Sequence, residues 1–131
     1  MAVSILVVDD DEAVRRVLRE ALSRLGYEII EAVDGQDCLD KLAAGLRPNV
    51  ILLDLLMPRK TGADVLRELQ QNRNGWPPVI VMSGYFERED FEGVQAFARF
   101  VKPFNIDRIV LAIERALAEQ RHGETGPGAS C

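Results

Sequence analysis

Long apolar runs, basic tracts and cysteines are all scarce in this chain, and each scarcity removes a class of protein. Even the apolar stretch Val50 to Leu53, resumed after Asp54 by Leu55 to Met57, is short. That is far short of the roughly 20 residues a membrane-spanning helix needs. Met1 leads directly into a strand-like run with no signal-peptide pattern, so a soluble, cytoplasmic protein without membrane insertion is expected. Lys and Arg number 16 against 21 acidic residues, a formal net charge of −5, and they form no cluster. Direct attachment to nucleic acid or to anionic membranes depends on clustered cations and is not expected. The two cysteines, Cys38 and Cys131, are too few for a disulfide framework and fit a reducing compartment. Cys38 falls at a buried helical phase and reads as a small core hydrophobe. Cys131 reads as an exposed end.

What is present is ordinary globular material: 131 residues, 47% apolar and 28% charged, enough for one domain with its own core. Val3 to Val8 is a β-rich run followed by the acidic cluster Asp9 to Glu12. Val14, Val17, Leu18, Ala21, Leu22 and Leu25 then recur at spacings of three and four, with Arg15, Arg16, Arg19, Glu20 and Arg24 mostly between them. This is an amphipathic helix closed by Gly26, with Asp11 or Glu12 at its positive end. The pattern repeats. Tyr27 to Ala32 is a strand, Gln36 to Ala44 a helix ended by Gly45, and Asn49 to Asp54 a strand. Val65, Leu66 and Leu69 mark a helix ended by Asn72 to Pro78. Val79 to Met82 is a strand, Glu87 to Val94 a short acidic helix, Phe97 to Val101 a strand, and Ile106 to Leu117 a closing helix. The third strand is apolar without alternation, as a central parallel strand covered on both faces should be. Five βα units in order predict a doubly wound parallel α/β sheet. The domain is expected over residues 1–120, with 121–131, rich in Gly, Pro and small polar residues, as a flexible tail.

Four stretches stand at the ends of predicted strands: Val7-Val8-Asp9-Asp10, Leu53-Asp54-Leu55-Leu56-Met57-Pro58, Val81-Met82-Ser83-Gly84 and Val101-Lys102-Pro103-Phe104. In a parallel α/β sheet the carboxyl ends of the strands line one crevice, so these residues should meet there. Three carboxylates about 4 to 6 Å apart repel by up to roughly 4 kcal/mol per pair at an effective dielectric near 20. Either a proton or a divalent cation must offset that, and all-oxygen ligands suit a hard ion such as Mg²⁺. A carboxylate beside such an ion and a lysine is placed to act as a nucleophile toward phosphorus, and Asp54 is the candidate. Ser83 would donate its hydroxyl to the same phosphoryl group, with Lys102 reaching in from the far side. Phosphorylation exchanges one negative charge for about two, which outlines a switch. Alone, an Asp-Asp pair is commonly a helix cap and Ser-Gly a turn. Their joint occurrence at strand ends carries the argument.

From about Val3 to about Glu119 these residues resemble the response-regulator receiver domain of two-component signalling. The resemblance implies a flavodoxin-like (βα)5 fold with strand order 2-1-3-4-5 and five helices. It implies that Asp10 ligates Mg²⁺ directly, that Asp9 acts mainly through water, and that Asp54 is both ligand and phospho-acceptor. The Leu56 backbone carbonyl would complete the protein ligands, Ser83 and Lys102 would contact the phosphoryl group, and Lys102-Pro103 would be a cis peptide. Three departures follow. The family's switch aromatic stands three residues before the lysine, where this chain has Arg99, with Phe100 one residue later; this puts the common aromatic-swing mechanism in question. The segment between Ser83 and Lys102 is short, consistent with a truncated or irregular fourth helix. Leu56 and Tyr85 occupy the positions that tune dephosphorylation, and both are bulky, so they are expected either to shield the phosphoryl group from water or simply to pack or lie exposed.

Three rival readings share parts of this pattern. A flavodoxin-like flavin binder needs amides and hydroxyls after the first strand, where Asp9, Asp10 and Asp11 would repel its phosphate. A phosphohydrolase with an aspartate nucleophile resembles Asp-x-Asp, and Leu56 stands at the second position. A degenerate receiver would serve as a phosphorylation-independent protein-binding module. The favoured expectation is a phospho-acceptor switch that takes its phosphoryl group from a sensor histidine kinase or histidine phosphotransfer protein. It is not a conventional enzyme, but would catalyse its own aspartyl phosphorylation and dephosphorylation. An unknown downstream protein would be contacted through the face of helix 4, strand 5 and helix 5, and a phosphorylation-dependent dimer is a further expectation.

Overall fold

A computed structural model of the protein describes residues 2–57, 60–71, 76–84 and 96–125, with side chains described as far as residue 119. Five strands form one sheet: β1 (Ser4–Val8), β2 (Glu28–Ala32), β3 (Val50–Asp54), β4 (Val79–Ser83) and β5 (Ala98–Val101). Their order is β2-β1-β3-β4-β5, and all neighbours pair in parallel. Four helices are described: α1 (Glu12–Ser23), α2 (Gly35–Ala43), α3 (Gly62–Gln70) and α4 (Ile106–Thr125). The expected helix over Glu87 to Val94 lies outside the described residues.

The central strands are apolar throughout because both faces of the sheet are covered, and successive side chains feed opposite cores. Leu6, Val8, Ile51, Leu53, Val79 and Val81 pack with Cys38 of α2 and with Val65, Leu66 and Leu69 of α3. Ile5, Val7, Val50, Leu52, Ile80 and Met82 pack with Leu18 and Leu22 of α1 and with Ile109, Ala112, Ile113 and Ala116 of α4. Full burial of each Val, Leu, Ile or Met side chain among them stabilises the domain by about 1.5–3 kcal/mol. Cys38 is fully buried and its thiol is pushed up to about 12 by that burial, as a core hydrophobe should be.

Each helix starts where a short polar side chain accepts from its free amides. Asp11 accepts from the Ala13 amide, Asp34 from Asp37, and Asn105 from Asp107. Thr61 and Asp64 form a reciprocal capping box at α3. Beyond α1 and α2 the chain turns at Gly26 and Gly45, whose φ values of 93° and 112° favour glycine. The last helix differs from expectation: it runs to Thr125 and takes in Arg121–Thr125, residues that composition assigned to a tail. Ala116, Leu117, Ala118, Glu119, Gln120 and Arg121 are all strong helix formers, and their propensity outweighs the single Gly123.

Candidate functional site

The sheet order brings β1, β3, β4 and β5 together at their carboxyl ends. Asp9 follows β1 directly, Asp54 ends β3, Ser83 ends β4 and Lys102 follows β5. Asp9, Asp54 and Ser83 are buried while Asp10 is exposed, so the pocket opens toward solvent on the Asp10 side. One carboxylate oxygen from each of Asp9, Asp10 and Asp54 lies within 4.8 Å of the other two. The Lys102 Nζ is 2.8 Å from Asp9 Oδ2 and 3.6 Å from Asp54 Oδ2. Its backbone is fixed as well, since the Lys102 amide donates to the Ser83 carbonyl at 2.6 Å. The Lys102-Pro103 peptide is cis.

Every polar atom of Asp9 is engaged. Its amide donates to the Ala32 carbonyl at 3.2 Å, and its carbonyl accepts from Arg15 Nη1 at 2.7 Å. One carboxylate oxygen accepts from the Asp11 amide at 2.9 Å and the other from Lys102. Asp54 is less well compensated, with the Leu56 amide 3.3 Å from its Oδ1. Burial and the neighbouring Asp9 charge push the Asp54 carboxyl up to about 6, against the opposing pull of Lys102. Burial works to lower the Lys102 ammonium, but its hydrogen bond to Asp9 and the charges of Asp54 and Asp9 outweigh it and leave it raised. The site therefore holds more negative charge than its lysine offsets. Three hard oxygen donors this close fit one Mg²⁺ ion with room for waters.

The sequence and the fold have counterparts among known proteins. The sequence profile of the response regulator receiver domain matches residues 5–114. The chain belongs to the response-regulator receiver family. Among relatives of this receiver domain, the response regulator MprA of Mycolicibacterium vanbaalenii is 39% identical over 132 residues, covering 99% of this chain and 56% of that protein. MprA of Mycobacterium tuberculosis is 39% identical over 126 residues, covering 95% and 54%. The chain thus spans about half the length of these relatives. Of solved structures, the response regulator TrrA of Thermotoga maritima, in complex with Mg²⁺ and BeF, has a TM-score of 0.78 at 32% identity, covering 88% of this chain and 99% of that one. A CheY-like receiver domain from Methanospirillum hungatei has a TM-score of 0.85 at 28% identity, covering 93% and 98%.

The structure gathers the Asp9, Asp10 and Asp54 carboxylates, sets Lys102 against Asp9 and Asp54, and places Ser83 at the end of the adjacent strand β4. Leu56 is half-exposed, at 50%, at the mouth of this receiver site. Tyr85 lies outside the described residues. Arg99 and Phe100 fall on opposite faces of β5: Phe100 pairs with Met82 and packs on the α1–α4 core, while Arg99 pairs with Val81 and is exposed. A one-residue offset in a strand reverses the side-chain direction, so Phe100 does not stand in for an aromatic at position 99. Two neighbours of the site were not legible as such in the sequence. Arg15 looks like one of several solvent-facing arginines of α1, yet its side chain is only 12% exposed. Gly62 looks like a loop residue, yet a Cβ there would lie 2.4 Å from the Asp54 carbonyl oxygen and 2.6 Å from the Leu55 Cα. The available signal for Arg15 was its place one helical turn after the cap Asp11.

Proposed function

We propose that this receiver domain is a Mg²⁺-dependent phospho-acceptor switch in which Asp54 takes a phosphoryl group from a histidine kinase or a histidine phosphotransfer protein. The observation that carries the reading is the buried Asp54 carboxyl facing Asp9, Asp10 and Lys102 at distances one small ion and one ammonium can serve. Asp10 and Asp54, with Asp9 acting through water and the Leu56 carbonyl, would hold the ion. The ion would neutralise phosphoryl oxygens and the acidic pocket together. A carboxylate oxygen of Asp54 forms the new bond to phosphorus as the phosphorus–nitrogen bond of the donor imidazole breaks and the imidazole leaves with the electron pair. Lys102 stabilises the transferring group from the β5 side, and the Ser83 hydroxyl is the hydrogen-bond donor that follows it inward. The TrrA neighbour in its Mg²⁺–BeF complex supports this assignment by likeness of fold.

The added charge would alter the face built from β5 and the helices beside it, where Arg99 replaces the usual aromatic. A downstream protein would read that change by contact, in a cytoplasmic setting, with dimer formation as a further response. Intact mass after incubation with Mg²⁺ and acetyl phosphate or phosphoramidate tests the reading, alongside Asp54→Asn and a beryllium fluoride titration. A gain of one phosphoryl group in the wild type alone is the expected result. No gain in a chain that still binds Mg²⁺ would overturn it in favour of a phosphorylation-independent binding module.

A further inference from the structure

Arg15 lies outside the acidic pocket but touches the backbone that carries it. Its Nη1 donates to the Asp9 carbonyl at 2.7 Å, and its Nε donates to Glu31 Oε1 of β2 at 3.1 Å. The other Glu31 oxygen accepts from Arg19 Nη1 at 2.7 Å. The arginine is nearly buried while Arg19 is 44% exposed, so the two guanidinium groups share one carboxylate but only Arg15 reaches the site. The Asp9 carbonyl belongs to the peptide that leads into Asp10. The Asp9 amide is bonded to Ala32 and its carboxylate to Asp11 and Lys102, and Arg15 holds the carbonyl, the one polar group of Asp9 that lies in the peptide to Asp10.

We propose that Arg15 is a positioning residue for the cation site, locking the Asp9–Asp10 peptide so that the exposed Asp10 carboxylate is presented toward Asp54 and Asp9 before any ion arrives. The inference rests on the Mg²⁺-dependent reading above. Glu31 acts through Arg15: it orients the planar fork so that two nitrogens are committed, one to each partner, which a lysine cannot reproduce. Without the Arg15 contact the Asp9 carbonyl loses this partner, the Asp9–Asp10 peptide is held less tightly, and more of the ligand set must be ordered at the moment of binding. Groups of this kind behind metal ligands typically alter affinity 10- to 100-fold.

The direction of the effect separates positioning from simple charge. Arg15 is a cation near an acidic cluster, so if charge alone mattered its removal would tighten Mg²⁺ binding. Calorimetric titration of Mg²⁺ into the full chain is compared for wild type, Arg15→Lys, Arg15→Met and Arg19→Met, each well below its own unfolding temperature. About tenfold weaker binding is expected for Arg15→Met. Arg15→Lys, which keeps the charge and guards against a variant that fails to fold, should also weaken binding, and Arg19→Met should stay within about twofold of wild type. Unchanged affinity in Arg15→Lys, tighter binding in Arg15→Met, or an equal loss in Arg19→Met would each overturn the proposal. A wild type that takes up no Mg²⁺ would overturn the metal-dependent function and this inference with it. A wild type that binds Mg²⁺ and is phosphorylated, beside an Arg15→Lys variant of equal affinity, overturns the positioning role alone.

Discussion

Replacing Asp54 by Asn should make the metal-free protein more stable at neutral pH. Burial and the Asp9 charge raise the native Asp54 carboxyl from 3.8 to about 6. The native state therefore holds its proton to a higher pH than the unfolded chain does. Its stabilisation is fully present below about pH 4 and is lost as pH rises through about 6. By pH 7.5 the ionised, buried carboxylate weakens the fold by about 2–3 kcal/mol, at roughly 1.4 kcal/mol per pKa unit. Asparagine keeps the shape and the acceptor for the Leu56 amide while removing the charge. In a domain of this size the gain corresponds to a melting temperature higher by roughly 6–15 °C. The assay is thermal and urea unfolding of wild type and Asp54→Asn in chelator, at pH 7.5 and pH 5. The advantage of the variant should be largest at pH 7.5, shrink toward pH 5, and close when Mg²⁺ is added to the wild type. An advantage that does not depend on pH, or a variant less stable than wild type at pH 7.5, would refute the reasoning.

Lys102→Met removes the ammonium 2.8 Å from the fully buried Asp9. It should destabilise the metal-free domain by about 3–5 kcal/mol in urea titrations, because a buried charge is left without its partner; a loss under 1 kcal/mol would mean water replaces the lysine. Gly62→Ala places a Cβ against the Asp54 carbonyl and the Leu55 Cα, backbone atoms that have little freedom to yield. A loss of about 1–3 kcal/mol and slower phosphorylation by acetyl phosphate are expected, and wild-type values for both would show that α3 can shift without moving the acceptor. Leu56→Asn replaces a half-exposed apolar group beside the acceptor by one that can align water. The phosphoryl group, timed by mass, should decay several-fold faster, and an unchanged decay would remove Leu56 as a shield. Cys38, buried and with its thiol pushed up to about 12, should stay unlabelled by a thiol reagent at pH 8 until the protein unfolds; peptide mapping that finds it modified in the folded state would contradict its burial.

Much of this protein is written in short-range patterns. Short unbroken apolar runs mark the central strands and three-to-four spacing marks the helices, because each is a property of a few neighbouring residues. The glycines at 26 and 45 likewise mark helix ends by their own backbone freedom. The strand-end position of Asp9, Asp54, Ser83 and Lys102 follows from the same local reading, and the parallel topology then implies that they converge. What the tertiary structure alone decided is how closely they meet and what stands behind them. The Lys102–Asp9 contact joins residues 93 positions apart, and no local repeat encodes a separation of 2.8 Å. The raised Asp54 carboxyl depends on burial by neighbours from other strands, the contacts of Arg15 on the Asp9 carbonyl just after β1 and a carboxylate of β2 lying within its reach, and the tight fit of Gly62 on how closely α3 seats against the end of β3. Phe100 shows the same division: its alternate phase was visible in the sequence, but only the packed sheet decided that the phase points it into the α1–α4 core. Local pattern determines which face a residue takes, and packing between distant segments determines what that face meets.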